Sequence, residues 1–143
     1  MTADQAKKLG LKPGQLVGLV EAPSDSAALL LASSPPGVTF TELPGEDPYD
    51  LLFYWPRQLE GLTECFRQLQ HSIQPDGAIW VVIPKKKFAG VRGIDFTWEQ
   101  MQTAALRTDL VDNKVATLSE QEYGTRFVIR KELRPKVVAP GKP

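Results

Sequence analysis

The sequence has very few of the residues that build disulfides, zinc sites and nucleophile–base pairs. Its 143 residues include one cysteine, Cys65, and one histidine, His71. An internal disulfide is therefore impossible, and one chain cannot assemble a structural Cys/His zinc site. The two residues fall on one predicted helix, which cannot bring a thiol and an imidazole together for catalysis. We predict a buried, inert thiol at Cys65 and a surface or helix-end position for His71.

The chain also lacks an excess of either charge and a long apolar run. It carries 17 Lys and Arg against 17 Asp and Glu, so its formal net charge is zero. A neutral total provides no general attraction to nucleic acid or to an anionic membrane. No apolar run approaches the ~20 residues of a membrane span, and no secretory segment follows the N-terminal lysines. Together with the single cysteine, this predicts a cytoplasmic protein without a membrane partner.

Short catalytic motifs are missing as well. The sequence contains no G-x-S-x-G, no Walker-type phosphate loop and no H-E-x-x-H. No reaction class therefore follows from a motif, and we predict no metal site and no catalytic residue.

The length predicts one domain, which we place at residues 9–131. The tail beginning at Arg134, RPKVVAPGKP, is rich in proline and lysine, and such a composition buries little apolar surface. We therefore expect flexible termini at residues 1–8 and 134–143.

Short apolar runs bounded by Pro and Gly alternate with segments of helical periodicity. The runs predict buried strands, and Thr97-Trp-Glu-Gln100 has the spacing of a helix capping box. Pro56 suits the first turn of a helix with Leu59, Leu62, Phe66, Leu69 and Ile73 on one face. The predicted strands are 16–20, 38–42, 51–55, 78–83, 111–118 and 125–130; the predicted helices are 26–33, from 56 to about 73, and from 97 to about 108.

This order predicts an α/β fold, namely a mostly parallel Rossmann-like sheet with helices on both faces and an antiparallel C-terminal hairpin. The connection between the second and third predicted strands conflicts with this fold. The turn-rich segment 43–48 is shorter than the ~10–12 residues of a normal parallel crossover. Either the third strand starts later, or the second strand is a stub.

Several segments, in this order, resemble a bacterial family of small proteins of unknown function. They are LKPGQLVGLV at 11–20, QPDGAIWVV at 74–82, IPKK at 83–86, and LVDNKVA at 110–116 with RFVIR at 126–130. That family is similar to a truncated Rossmann-like, methyltransferase-type core. The resemblance covers roughly residues 9–131, and it implies a fold without an assigned chemistry.

A methyltransferase binds S-adenosylmethionine at the carboxyl ends of its first two strands, with a glycine-rich first turn and an acidic residue ending the second strand. Glu21 and Glu42 occupy the two strand ends here. The bend 21–26, however, has no glycine, and Pro23 removes an N–H from it. We therefore predict no cofactor and a non-enzymatic scaffold that binds a protein partner or an anionic ligand. The alternative is a divergent S-adenosylmethionine-dependent methyltransferase.

Ligands of open parallel sheets bind beyond the carboxyl ends of the strands. A basic group there, with the helix start near Ser24, favours an anion. Each candidate also has a structural interpretation. The carboxylates of Glu21 and Glu42 are then solvated loop residues, and the lysines at 85–87 keep an exposed loop soluble. Trp55 and Trp80 then belong to the core. The candidate ligand-binding residues are Glu21, Ser24, Glu42, Arg57, Lys85 and Lys86, with Trp55 and Lys87 beside them.

Contact with nucleic acid through residues 85–92 is a weaker hypothesis, and we do not expect it. The oligomeric state stays open between monomer and homodimer. The final strand, 125–130, is a candidate edge for pairing across a dimer, although Arg126 and Arg130 disfavour such pairing.

Overall fold

Six strands form one sheet in the order β2-β1-β3-β4-β6-β5. The computed structural model describes residues 3–42 and 47–134. The strands are β1 (Leu16–Val20), β2 (Thr39–Glu42), β3 (Tyr49–Tyr54), β4 (Ile73–Pro84), β5 (Leu110–Thr117) and β6 (Glu122–Ile129). The helices are α1 (Ala3–Lys8), α2 (Ser24–Ser33), α3 (Leu62–Leu69), α4 (Lys86–Ala89) and α5 (Trp98–Leu106), with 3-10 turns at Gln70–Ser72 and Lys131–Leu133.

The pairing confirms the predicted fold class. Strands β1 to β4 are parallel, and β6 pairs antiparallel with both β4 and β5. Within the described residues, no helix has the length and apolar character needed to cross a membrane.

Successive residues of the central strands point to opposite faces, so the sheet separates two hydrophobic cores. Leu52 and Ile79 pack with Phe66 of α3 and Met101 of α5 in the first core. The residues next to them in sequence, such as Phe53 and Trp80, join the second core, which includes Ala6 of α1 and Leu30 of α2. Burial on both faces explains the continuous apolar runs of these strands.

The N-terminus differs from the expected loose extension of residues 1–8. Residues 3–8 form α1, where Ala6 is buried, and Leu9 follows it into the second core. The indole Nε1 of Trp80 donates a hydrogen bond of 2.9 Å to the Leu9 carbonyl oxygen. Residues 1 and 2, and the tail beyond Arg134, lie outside the described residues.

The second strand is the predicted stub, with four residues. Glu42, the last residue of β2, pairs with Leu19 of β1. Leu51 of β3 pairs with Val17, and β3 begins two residues before Leu51, at Tyr49. The chain therefore returns roughly 13 Å along the sheet and crosses about 10 Å, a distance that six extended residues can span. The short β2 thus removes the need for a helical crossover.

The helix expected from Pro56 begins only at Leu62. Gly61 has φ 75°, a left-handed conformation that interrupts helical geometry, and residues 56–61 are irregular. Ile73, predicted on that helix, instead starts β4. Residues 75–77, a Pro-Asp-Gly sequence typical of turns, lie within β4. Tyr49 pairs with Ile73 and Leu51 pairs with Ala78, so β4 has three extra residues between these two pairs. This is a bulge, which the turn-forming residues make possible.

The structure confirms the predicted helix cap at Thr97, and it contradicts the edge position expected for the final strand. The capping box is confirmed, because the Thr97 hydroxyl accepts from the Gln100 amide and the Gln100 side chain accepts from the Thr97 amide. The edge assignment is wrong, because β6 lies between β4 and β5, so β5 forms that edge.

Gly18 of β1 allows a side chain from β3 to lie across the sheet. A Cβ at Gly18 would overlap Leu52 Cδ2 and lie 3.0 Å from Tyr49 Cε1. Tyr49 extends over this position, and its hydroxyl lies 2.7 Å from Thr41 Oγ1 of β2. The Tyr49 ring thus lies across β1 and reaches β2.

We expect Gly18→Ala to destabilise the protein by about 1–3 kcal/mol, because the added methyl forces Leu52 or Tyr49 out of place. Urea unfolding measures the loss. Gly90→Ala is the matched control, since Gly90 has helical angles and open space around it. Equal stability of the Gly18→Ala variant and the unmodified protein would refute this packing.

Candidate functional site

The direction of chain progression reverses between β1 and β3. From β1 the chain moves outward to β2, and it then returns to the other side of β1 to form β3. In doubly wound sheets, a crevice opens beyond the carboxyl ends of the strands at such a switch point, and ligands bind there. Glu21 follows β1 directly, and Trp55 follows β3, with its amide donating to the Val20 carbonyl oxygen at 3.1 Å.

A cleft of about 860 Å³ lies at this edge of the sheet. Its walls come from the ends of β1, β3 and β4, the first turns of α2, the segment between α4 and α5, and the turn between β5 and β6. It is lined by Glu21, Pro23, Asp25, Ser26, Leu29, Trp55, Pro56, Arg57, Val82, Pro84, Arg92, Gly93, Ile94, Ser119, Glu120, Gln121 and Glu122.

The carboxylate of Glu122 joins three walls of the cleft. Its side chain is 4% exposed. Oε1 accepts a hydrogen bond of 2.7 Å from the Ser26 hydroxyl of α2. Oε2 accepts from Trp55 Nε1 at 3.2 Å and from Arg92 Nη2 at 2.9 Å. A buried carboxylate with a charged partner and two neutral donors is satisfied, and it holds the three segments together.

The remaining charges of the cleft are unbalanced. Glu21, Asp25 and Glu120 are exposed carboxylates at its walls, and Arg57 is an exposed cation. None of the four forms an ion pair among residues 3–42 and 47–134, where the ion pairs are Arg67–Glu64 and Arg92–Glu122. Apart from the Arg92–Glu122 pair, the cleft is therefore acidic.

Glu21 adopts the backbone conformation that glycine favours. Its φ is 56°, and it is the only non-glycine residue with a positive φ in the described part of the chain. Such an angle costs a side-chain-bearing residue of order 1–2 kcal/mol. The bend after β1 thus makes its tight turn without the glycine that the sequence pattern lacks.

The structure brings together some of the predicted ligand residues. Glu21 and Arg57 line the cleft, with Trp55 in its wall. Glu42 ends β2 on the neighbouring strand and is exposed, but it is not among the residues that line the cleft. Ser24 starts α2 but does not cap it, because Pro23 holds the N-cap position and no side chain caps that end.

The lysines do not join Arg57 in the cleft. Lys85, Lys86 and Lys87 are absent from its lining, and Lys87 lies over the ring of Phe88 at 5.1 Å. Lys85 contributes its backbone amide to the Gln121 carbonyl oxygen at 2.7 Å. Arg57 and the three lysines therefore do not line the cleft together, as the expected anion site requires.

Sequence reasoning missed Ser26, Arg92 and Glu122. Glu122 falls in the segment predicted as a turn, where a carboxylate normally faces solvent. Its burial depends on α2, almost a hundred residues earlier in the chain. No local pattern indicates that contact.

Cys65 differs from its predicted position, because its side chain is exposed and not buried. Tyr54 is buried at the end of β3. Burial raises the pKa of Tyr54 above its ordinary value of 10.0, and the proximity of Cys65 and Glu21 raises it further. His71 is exposed, in the 3-10 turn that follows α3, as predicted. Within the described residues, no group of acidic, Cys and His side chains could hold a metal ion.

No family model matches the sequence, and no curated protein matches it. Solved structures do match the fold. A TehB-like SAM-dependent methyltransferase from Corynebacterium glutamicum has a TM-score of 0.56 and 9% identity, covering 91% of this chain and 89% of its own. The N-methyltransferase NodS from Bradyrhizobium japonicum has a TM-score of 0.58 and 9% identity, covering 89% and 93%.

The mitomycin 7-O-methyltransferase MmcR has a TM-score of 0.63 and 11% identity, covering 90% of this chain and 54% of its own. At these identities the likeness concerns the fold alone. The protein has a Rossmann-like core of the methyltransferase type, as the sequence resemblance implied.

We expect Glu122→Ala to destabilise the protein by about 3 kcal/mol, because Ser26, Trp55 and Arg92 lose their shared acceptor. Glu120→Ala is the matched control, since Glu120 is exposed at the same turn and should change stability by less than about 0.5 kcal/mol. Urea unfolding compares them. Equal effects would show that the network contributes nothing beyond a surface charge.

Stability should fall as the pH rises above about 10, the ordinary tyrosine pKa. Tyr54 in the unfolded chain then releases its proton, whereas the folded protein, with the raised pKa, retains it. Urea midpoints between pH 9 and 11 measure the decline. Tyr54→Phe should make the decline shallower, and an unchanged slope would contradict the role of Tyr54.

Proposed function

We propose that the protein binds S-adenosylmethionine in the cleft and is a divergent S-adenosylmethionine-dependent methyltransferase. The observation that carries this proposal is the position of the cleft at the switch point between β1 and β3, beyond the carboxyl ends of parallel strands. The fold neighbours favour this alternative over the non-enzymatic scaffold, and they do not support the expected absence of a cofactor.

The size and charge of the cleft suit this cofactor. A volume of about 860 Å³ falls in the range of roughly 300–1,000 Å³ found for small-molecule sites. S-adenosylmethionine carries a sulfonium and an ammonium group, which the carboxylates of Glu21, Asp25 and Glu120 attract. Its single carboxylate matches Arg57 and the free backbone amides at the start of α2.

The two acidic strand ends are suited to the ribose hydroxyls. Glu42 lies opposite Leu19, two residues before Glu21, so the carboxylates project from neighbouring strands. An acidic residue after the second strand is the usual ribose-binding group of dinucleotide-type folds. The bend after β1 lacks glycine, but Glu21 adopts the left-handed φ that the tight turn requires. Pro23 still offers no N–H to a ligand.

The missing nucleophile motifs are compatible with methyl transfer. When bound, the cofactor supplies an electrophilic methyl group that an acceptor atom attacks directly. The protein therefore needs to bind, orient and shield two ligands, and it needs no covalent intermediate of its own.

Calorimetric titration with S-adenosylmethionine tests the proposal, and we expect saturable binding. Glu42→Ala should weaken it at least tenfold, which corresponds to about 1.4 kcal/mol. Glu132→Ala is the matched control, because Glu132 is exposed beyond the C-terminal end of β6. Since β6 is antiparallel to β4, this position lies near the amino ends of the parallel strands, away from the cleft.

Absence of saturable binding would refute the proposal that the protein binds S-adenosylmethionine. It would support the non-enzymatic scaffold, which the proline in the bend favours. Binding that is unaffected by Glu42→Ala would reject the ribose role of Glu42 alone.

A further inference from the structure

The inner wall of the cleft holds a carboxylate that already binds a cation. Arg92 Nη2 lies 2.9 Å from Glu122 Oε2, and the Arg92 side chain is 29% exposed. The guanidinium reaches this carboxylate from the segment between α4 and α5, across the cleft from α2. The protein thus shows which chemical group fits there.

We propose that Glu122 is the binding group for a substrate amine or guanidinium, whose place Arg92 occupies in this structure. The inference rests on the proposed function only in making the molecule that carries this cation the methyl-accepting substrate, with the acceptor atom elsewhere in that molecule. Binding of the cation itself depends on the geometry of Glu122.

The other partners of Glu122 leave one position exchangeable. Ser26 donates to Oε1, and Trp55 donates to Oε2 together with Arg92. Both donors belong to buried residues, so the carboxylate keeps its orientation when the guanidinium leaves. Departure of Arg92 would free an acceptor position on Oε2 and leave a buried charge in need of a cation.

Arg92 can leave without rearrangement of the backbone. Its amide and that of Gly93 donate to Phe88 and Gly90, which keeps the turn formed independently of the side chain. The neighbouring Val91 is 89% exposed, so little packing restrains this part of the segment. Exchange therefore requires only rotation of a side chain that is already partly in solvent.

The outer cleft favours a cation on electrostatic grounds. Glu21, Asp25 and Glu120 have no ion-pair partner in the described ranges, and Arg57 alone opposes them. Their summed field raises the local concentration of cations near Glu122. A substrate with a positive group would be attracted to the rim and would then compete with Arg92 at the inner carboxylate.

The indole N–H of Trp55 allows a direct test by ¹H–¹⁵N NMR, with ethylguanidinium as the probe. In Arg92→Ala we expect a saturable shift of the Trp55 indole signal, with a dissociation constant at least tenfold lower than in the unmodified protein. The Trp80 and Trp98 indoles donate to Leu9 and Thr125, away from the cleft, and should not shift. Neutral ethylurea should produce no saturable shift.

Two variants complete the test. Arg107→Ala, which removes an exposed arginine outside the cleft, should leave the competition by Arg92 unchanged. Introducing Glu122→Gln into the Arg92→Ala protein should abolish the Trp55 response while the other two indoles report an intact fold.

The proposal is overturned if Arg92→Ala, with its Trp80 and Trp98 signals in place, shows no saturable shift or responds equally to ethylurea. If Arg92→Ala does not fold, Arg92→Gln, which keeps a hydrogen-bond donor, takes its place under the same criteria. Cation binding without S-adenosylmethionine binding would refute the proposed function and leave this site standing. S-adenosylmethionine binding without cation binding would refute the cation site at Glu122 and leave the proposed function standing.

Discussion

The short connection between β2 and β3 is the constraint on which the shape of this protein depends. Six residues cannot form a covering helix and a crossover, so β2 is limited to four residues. The outer strand of the usual doubly wound order has no counterpart among the described residues. Tyr49, lying over Gly18, packs on this side of the sheet, with its hydroxyl beside Thr41 of β2. The same return of the chain past β1 creates the switch point where the cleft opens.

The Glu122 network connects this edge of the sheet to both halves of the chain. Ser26 follows the first strand, Trp55 follows the third, and Arg92 follows the fourth. One buried carboxylate therefore determines how the walls of the cleft are spaced. Because its cost of burial is offset only while these donors surround it, the wall and the binding surface are energetically coupled. Any ligand that replaces Arg92 acts on both.

The predictions succeeded where the signal was local and missed where distant segments meet. Buried strands were recognised from continuous apolar runs, and the capping box from its spacing. Glu21 and Arg57 line the cleft, and their position near strand ends could be inferred from the chain order alone. The expected anion site was not found in the cleft, since its lining includes Arg57 but not Lys85, Lys86 or Lys87, although these lysines directly follow β4. Ser26 was missed in favour of Ser24 because only packing against β6 distinguishes the two.

The sequence by itself determined the fold class, the two-faced burial of the central strands and the acidic strand ends, because these depend on residue type and period along the chain. Only the tertiary structure decided that the cleft is acidic, that Glu122 is buried in it and that Arg92 reaches that carboxylate. The side-chain partners of Glu122 lie 30 to 96 positions from it in the chain. Such contacts form because the whole chain packs, and the local pattern of each segment contains no information about its partner.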